Sequence, residues 1–100
     1  MIEAILTKSP NKTKKYKVIV SDGNTVKTIH FGAAGYDDYT THGDDERKQR
    51  YIKRHKVTED WNNPFTAGFW SRYTLWNKKT ITASLADIRN RYNIKIQNLT

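Results

Sequence analysis

Two β-rich runs on either side of Ser21-Asp22-Gly23-Asn24 set the firmest limit on the fold, because they predict a β-hairpin over Tyr16–Phe31. With Gly23-Asn24 as a two-residue loop, Val18 lies opposite Ile29. One face then gathers the large apolar side chains, which are Tyr16, Val18, Val20, Ile29 and Phe31. With Asp22-Gly23 as the loop, Val18 meets Lys27 and the two faces mix. A slip of one residue exchanges core for solvent, so the first register is predicted.

The rest of the chain predicts further strands and three helices. Residues 2–7 suit a short strand, residues 94–96 suit an edge strand added to the hairpin, and residues 32–41 suit a loop. The helices are predicted from Asp44 to about Val57, from Thr66 to about Trp76, and from Thr80 or Thr82 to Asn93. Aromatic residues at three- and four-residue steps on the second helix, among them Phe69 and Trp70, are expected in the core.

These elements predict an α+β fold in a single basic domain over residues 1–100. Its sheet is expected to be small and antiparallel, with a central hairpin over 15–31 plus terminal strands, and about three helices packed on one face. The chain has no Cys, which excludes a disulfide scaffold and a Cys-based zinc finger. It has no apolar run of membrane-spanning length and no N-terminal signal pattern, so no membrane partner is predicted and an intracellular location is expected.

Lys and Arg outnumber Asp and Glu by 18 to 10, which gives a formal charge of +8. Such an excess on a small domain favours polyanionic partners, although solubility alone would also explain it. The strongest local signal is the first predicted helix, which places Arg47, Arg50 and Arg54 on one side. The predicted nucleic-acid-binding residues are Arg47, Lys48, Arg50, Lys53, Arg54, Lys14, Lys15 and Lys17. A solvated helix with Asp44–Lys48 and Glu46–Arg50 pairs is the alternative.

Aromatic and acidic residues add weaker signals. Tyr36, Tyr39 and Trp61 are candidate base-stacking residues or interface anchors. An acidic cluster with one histidine suggests a divalent metal site, and its members are Asp37, Asp38, His42 and Asp44. It matches no metal-binding motif, and neither a nucleophile elbow nor a phosphate-binding glycine loop is present. No catalytic residue, metal ligand or cofactor is therefore predicted, and whether the protein is an enzyme stays open, with binding favoured.

The central part of the chain resembles a small domain family of unknown function found in large DNA viruses of the nucleocytoplasmic giant-virus type. The resemblance rests on His30-Phe31-Gly32, Gly35-Tyr36-x-Asp38-Tyr39-Thr40-x-His42, Arg47-Lys48-x-x-Tyr51-x-x-Arg54-His55 and Thr66-Ala67-Gly68-Phe69-Trp70-Ser71-Arg72 with Leu75-Trp76-Asn77. It covers about half of the chain. It implies a viral protein, located in the infected host cell or the virion, and brings no established activity.

Three functions are compatible with these observations. The first is a non-catalytic basic module that contacts nucleic-acid phosphates without strong sequence preference, with DNA favoured over RNA as the partner. The second is a structural virion component, such as a minor capsid or cementing protein, that binds acidic faces of viral structural proteins. The third, ranked last, is a small metal-dependent nuclease that uses the acidic cluster.

Overall fold

The computed structural model describes residues 1–100, which form an α+β fold with a four-stranded sheet and several helices. The strands are β1 (Glu3–Lys8), β2 (Lys14–Ser21), β3 (Val26–Ala33) and β4 (Lys95–Asn98). Their spatial order is β3-β2-β1-β4. The hairpin therefore forms one half of the sheet, and the two strands nearest the chain ends form the other half.

The hairpin has the predicted register. Tyr16 pairs with Phe31, Val18 with Ile29 and Val20 with Lys27. Gly23 has φ +95°, a conformation that glycine adopts without strain. The Asp22 carboxylate accepts hydrogen bonds from the amides of Asn24 and Thr25, which closes the turn. Because this register puts alternate apolar residues on one face, Val18, Val20, Ile29 and Phe31 are all buried.

The sheet is mixed, which corrects the expectation of an antiparallel one. β4 pairs in parallel with β1 and does not join the hairpin, with Ala4 beside Ile96. A parallel pair needs a long crossover, and here the helical region supplies it. The last helix carries the chain back along the covered face, so β4 enters in the same direction as β1.

Five helical segments connect β3 to β4. They are α1 (Tyr39–His42), α2 (Asp45–His55), α3 (Ala67–Trp70), a π-helical segment (Ser71–Leu75) that continues α3, and α4 (Ile81–Tyr92). Side-chain caps set the starts of α2, α3 and α4 at Asp44, Thr66 and Thr80. Asn93 ends α4 in the left-handed conformation, as predicted.

Two details of the helical region differ from the sequence analysis. The predicted loop over residues 32–41 contains α1, because Asp38 caps it in a capping box with Thr41. The second predicted helix changes from α to π geometry at Ser71, which a pattern of apolar spacing does not reveal.

The core lies between one face of the sheet and the later helices. It comprises fourteen buried residues, of which Trp70, Phe69 and Phe31 are among the largest. None of the fourteen comes from α1 or α2, so these two helices lie outside the main core. The opposite sheet face carries Ile5 and Val26, both exposed. This arrangement leaves α2 at the side of the domain, where its charged residues meet the end of the hairpin.

A basic cleft as the candidate functional site

Helix α2 has acidic side chains in its first turn and mostly basic side chains along the rest of its length. The Asp44 carboxylate accepts hydrogen bonds from the amides of Glu46 and Arg47, and acids fill the first turn. Tyr51 is buried, whereas Arg50 and Arg54 are exposed. One buried residue is enough to fix the helix against the domain, and the arginine-bearing side is left free.

A cleft of about 500 Å³ lies between α2 and the open end of the hairpin. β2 contributes Lys14 and Lys15, and α2 contributes Arg47, Arg50 and Arg54. These are five of the eight predicted nucleic-acid-binding residues. They are far apart in sequence, and the fold brings the hairpin lysines and the helix arginines to the same concavity.

Four of these five cations make no ion pair or side-chain hydrogen bond within the chain. The ion pairs of the structure join Lys15 to Asp38, His55 to Glu59 and Arg91 to Asp87. The predicted Asp44–Lys48 and Glu46–Arg50 pairs do not form. The unpaired cleft cations are Lys14, Arg47, Arg50 and Arg54. Three acids, Asp37, Asp38 and Glu59, also line the cleft, and of these only Asp38 forms an ion pair with one of the five cations. The five Lys and Arg side chains therefore leave the cleft with an excess of positive charge.

Lys15 is the exception, because a buried carboxylate holds it. Its Nζ lies 2.5 Å from Oδ2 of Asp38, whose side chain is almost fully buried. The other carboxylate oxygen accepts hydrogen bonds from the amide and hydroxyl of Thr40 at the start of α1. Asp38 thus joins the hairpin to α1 and removes one charge from the cleft.

The floor of the cleft consists of three stacked rings that line it, those of Tyr51, His55 and Trp76. Tyr51 lies parallel to Trp76, with ring centroids 4.5 Å apart, and stacks on His55 at 4.3 Å. The Trp61 ring also stacks on the Tyr51 ring, with centroids 6.4 Å apart. Burial, with a smaller contribution from the negative charge of Glu59, raises the pKa of Tyr51, so this phenol stays neutral. The Tyr51 and Trp76 rings therefore add no charge to the cleft.

The three candidate stacking residues have different surroundings. Tyr36 lines the cleft with a ring that is 74% exposed. Tyr39, a candidate base-stacking residue or interface anchor, is buried, and its hydroxyl donates to Asp45, so its ring is not exposed to a partner. Its position at the start of α1 turns it inward. Trp61 is half-buried, and its indole N–H donates to Glu59.

Three predicted cations do not line the cleft. Lys17 pairs with His30 across the hairpin on the face away from the core. Lys48 lies over the Tyr39 ring, and its Nζ donates to the carbonyl of Asn77, 2.6 Å away. Burial of this ammonium group, followed by the nearby charge of Arg72, lowers the pKa of Lys48. Lys53 is exposed on α2 outside the cleft.

The acidic cluster does not come together as a metal site. Asp38 and Asp44 each cap a helix, and Nδ1 of His42 accepts a hydrogen bond from the Asp44 amide. The structure contains no group of three or more acidic, His or Cys side chains placed to hold a metal ion. Asp38, Asp44 and His42 therefore stabilise the chain at the starts of α1 and α2, whereas Asp37 is exposed and lines the cleft.

Sequence reasoning did not identify Tyr51 and Trp76 as the floor of the site. In the sequence, both residues stand out only as members of the motifs that carry the family resemblance. The available signal was that Tyr51 falls between Arg50 and Arg54, so any surface that buries Tyr51 also borders these arginines.

No helix of the structure combines the length and the apolar character needed to cross a membrane. No curated protein matches the sequence, and no solved structure matches it. Residues 4–55 match a family of unknown function (DUF5754). The matched residues include β1, β2, β3, α1, α2 and all five cations of the cleft. Since this match covers just over half of the chain, the protein belongs to the family of unknown function designated DUF5754.

Proposed function

We propose that the protein is a non-catalytic module that binds nucleic-acid phosphates in the basic cleft without strong sequence preference. The observation that carries the proposal is the set of four unpaired cations around one concavity. Guanidinium groups bind phosphate oxygens through two hydrogen bonds at once. Because the cleft arginines form no internal ion pair, none has to be broken before phosphate binds.

The spacing along α2 favours a ligand with repeated negative charges. A helix rises about 1.5 Å per residue, so Arg47 and Arg54 start roughly 10 Å apart along the axis, with Arg50 between them. Long flexible side chains at this spacing can contact successive phosphates of one backbone.

The test compares two double variants that remove the same charge from the same helix. Arg50→Gln/Arg54→Gln alters the cleft, and Lys53→Gln/Lys56→Gln alters α2 outside it. In fluorescence anisotropy titrations with labelled oligonucleotides at low salt, the arginine variant should weaken binding about 5- to 30-fold. This range corresponds to two exposed contacts of roughly 0.5–1 kcal/mol each. In a parallel titration at about 150 mM salt, where the Debye length is about 8 Å, the lysine variant should change affinity less than about 2-fold because more distant exposed charges are screened.

Three results would overturn the proposal. One is the absence of binding at low salt, and another is an equal loss in both double variants. The third is binding of an acidic polypeptide as tight as binding of the oligonucleotide, which would favour the acidic-protein partner instead. Circular dichroism of each variant shows whether the fold is retained.

A viral source is part of the proposal, and it rests on the resemblance of residues 30–77 to domains of large DNA viruses. In that setting the protein acts in the infected cell or in the virion. Mass spectrometry of infected cells and of purified particles tests this, and absence of the protein from both contradicts it.

A further inference from the structure

The geometry points to a single nucleic-acid strand as the ligand of the basic cleft, with one base stacked on Tyr36. This inference rests on the proposed function and adds two statements to it, the strandedness of the ligand and the residue that contacts a base.

The concave shape of the site distinguishes a single strand from a duplex. The arginines line a cleft of about 500 Å³, within the range of roughly 300–1,000 Å³ that is typical of small-ligand pockets. A duplex carries its phosphates on a convex rod and is usually read by a helix or ribbon that projects into a groove. Here α2 forms one wall of the cleft, so a phosphate must enter it. One flexible strand can do so, while its bases turn outward.

Tyr36 is placed to receive such a base. It is the only aromatic residue among the exposed large hydrophobic residues, and it lines the same cleft as the cations. It follows Gly35, whose φ is +85°, in a turn closed by a hydrogen bond from the Tyr36 amide to the Ala33 carbonyl. The amide of Ala34 donates to Thr13, which ties this turn to the loop before β2. These bonds fix the backbone of the turn, and the Tyr36 residue is 74% exposed.

A cation and this ring line the same cleft. Lys14 pairs with Ala33, three residues before Tyr36, and both Lys14 and Tyr36 line the cleft. A positive groove that follows the backbone, combined with an aromatic ring that stacks a base, is the arrangement by which proteins bind single strands with little sequence preference. The two features occur together here, at a site with no internal partner for either.

The test uses Tyr36→Ala, Tyr36→Phe and, as a control at another exposed apolar residue, Val57→Ala. The probes are a labelled mixed-sequence DNA strand of about 12 nucleotides, its blunt duplex, and inorganic polyphosphate as a competitor without bases. The wild-type protein should bind the strand more tightly than the duplex, although the duplex has the higher charge density. Tyr36→Ala should weaken strand binding about 5- to 150-fold, as expected for one lost stacking contact. It should leave competition by polyphosphate within about 2-fold.

Tyr36→Phe keeps the ring and should retain strand affinity within about 2-fold, as should Val57→Ala. Equal or tighter binding of the duplex overturns the strandedness, and an unchanged affinity of Tyr36→Ala overturns the stacking role. A loss of affinity in Tyr36→Ala that is equal for polyphosphate also overturns it, since polyphosphate has no base to stack. In all three cases the response to Arg50→Gln/Arg54→Gln remains the separate measure of phosphate binding. The two proposals can therefore fail independently.

Discussion

Replacing the buried carboxylate of Asp38 should lower the stability of the fold and, at the same time, add one cation that is free to bind phosphate in the cleft. In Asp38→Asn, the amide oxygen can still accept the Thr40 hydrogen bonds that start α1, because asparagine caps helices about as well as aspartate. The ion pair to Lys15 is lost. The substitution therefore separates the capping role of this residue from its role in neutralising one cation of the cleft.

The size of the binding effect follows from the number of free cations. Four cleft cations are unpaired in the native protein, and Asp38→Asn makes Lys15 the fifth. Each phosphate neutralised on a single strand contributes roughly −0.7 to the slope of log K against log salt. The slope should therefore change from about −2.8 to about −3.5. Between about 50 and 200 mM salt, the loss of affinity should grow from about 50-fold to about 130-fold.

The accompanying cost in stability should be about 1–2 kcal/mol, because the Lys15 ammonium loses a charged hydrogen-bond partner. For a domain of this size that corresponds to a fall in Tm of roughly 5–15 °C. Anisotropy titrations at four salt concentrations and a thermal melt measure the two quantities. An unchanged salt slope in a folded Asp38→Asn protein would refute the reasoning, since it would show that Lys15 does not face the bound phosphates.

Two further predictions concern stability. Gly32→Ala and Gly35→Ala both place a side chain at positive φ, but only at Gly32 does the new Cβ lie 2.8 Å from a methyl carbon of Leu75. In thermal melts Gly32→Ala should therefore cost about 1–3 kcal/mol more than Gly35→Ala, and equal costs would contradict the close contact. Burial, with a hydrogen bond to Tyr73, raises the pKa of Tyr92 to about 12 from the ordinary value of 10.0. The unfolded chain then loses this proton first, so the free energy of unfolding should fall as the pH rises from about 10 towards 12. Urea melts across this range should show a smaller fall for Tyr92→Phe, and parallel curves would contradict the assignment.

The sequence was most informative where one local pattern has only one physical outcome. The register of the hairpin follows from which residues can share a buried face, and the start of α2 follows from Asp44 as its cap. For α4 the sequence left Thr80 and Thr82 open, and the structure has Thr80 as the cap. The pairing of β4 depended on long-range geometry instead. Ile94 and Ile96 alternate in the same way whether their strand joins the hairpin or β1, so the alternation could not distinguish the two.

The candidate site was predicted in part for the same reason. Helical spacing is local, so it correctly placed Arg47, Arg50 and Arg54 on one side of α2. Whether Lys48 faces the ligand or a backbone carbonyl depends on where Asn77 lies, and no local pattern contains that information. The pairing of Lys15 with Asp38 joins β2 to the start of α1 across the intervening β3, and the burial of Tyr39 likewise depends on tertiary packing, here of α1 against α2.

The division of the core between the two halves of the chain has a consequence for synthesis on the ribosome. Strands β1, β2 and β3 are synthesised first, and the apolar face of their sheet is then still uncovered. Eight of the fourteen core residues, from Phe69 to Ile96, are added later. β1 must also wait for residues 95–98 before its second edge is occupied. A nascent chain halted near residue 55 would therefore be prone to aggregation and sensitive to proteases. Stable structure would form cooperatively once α4 and β4 have left the exit tunnel.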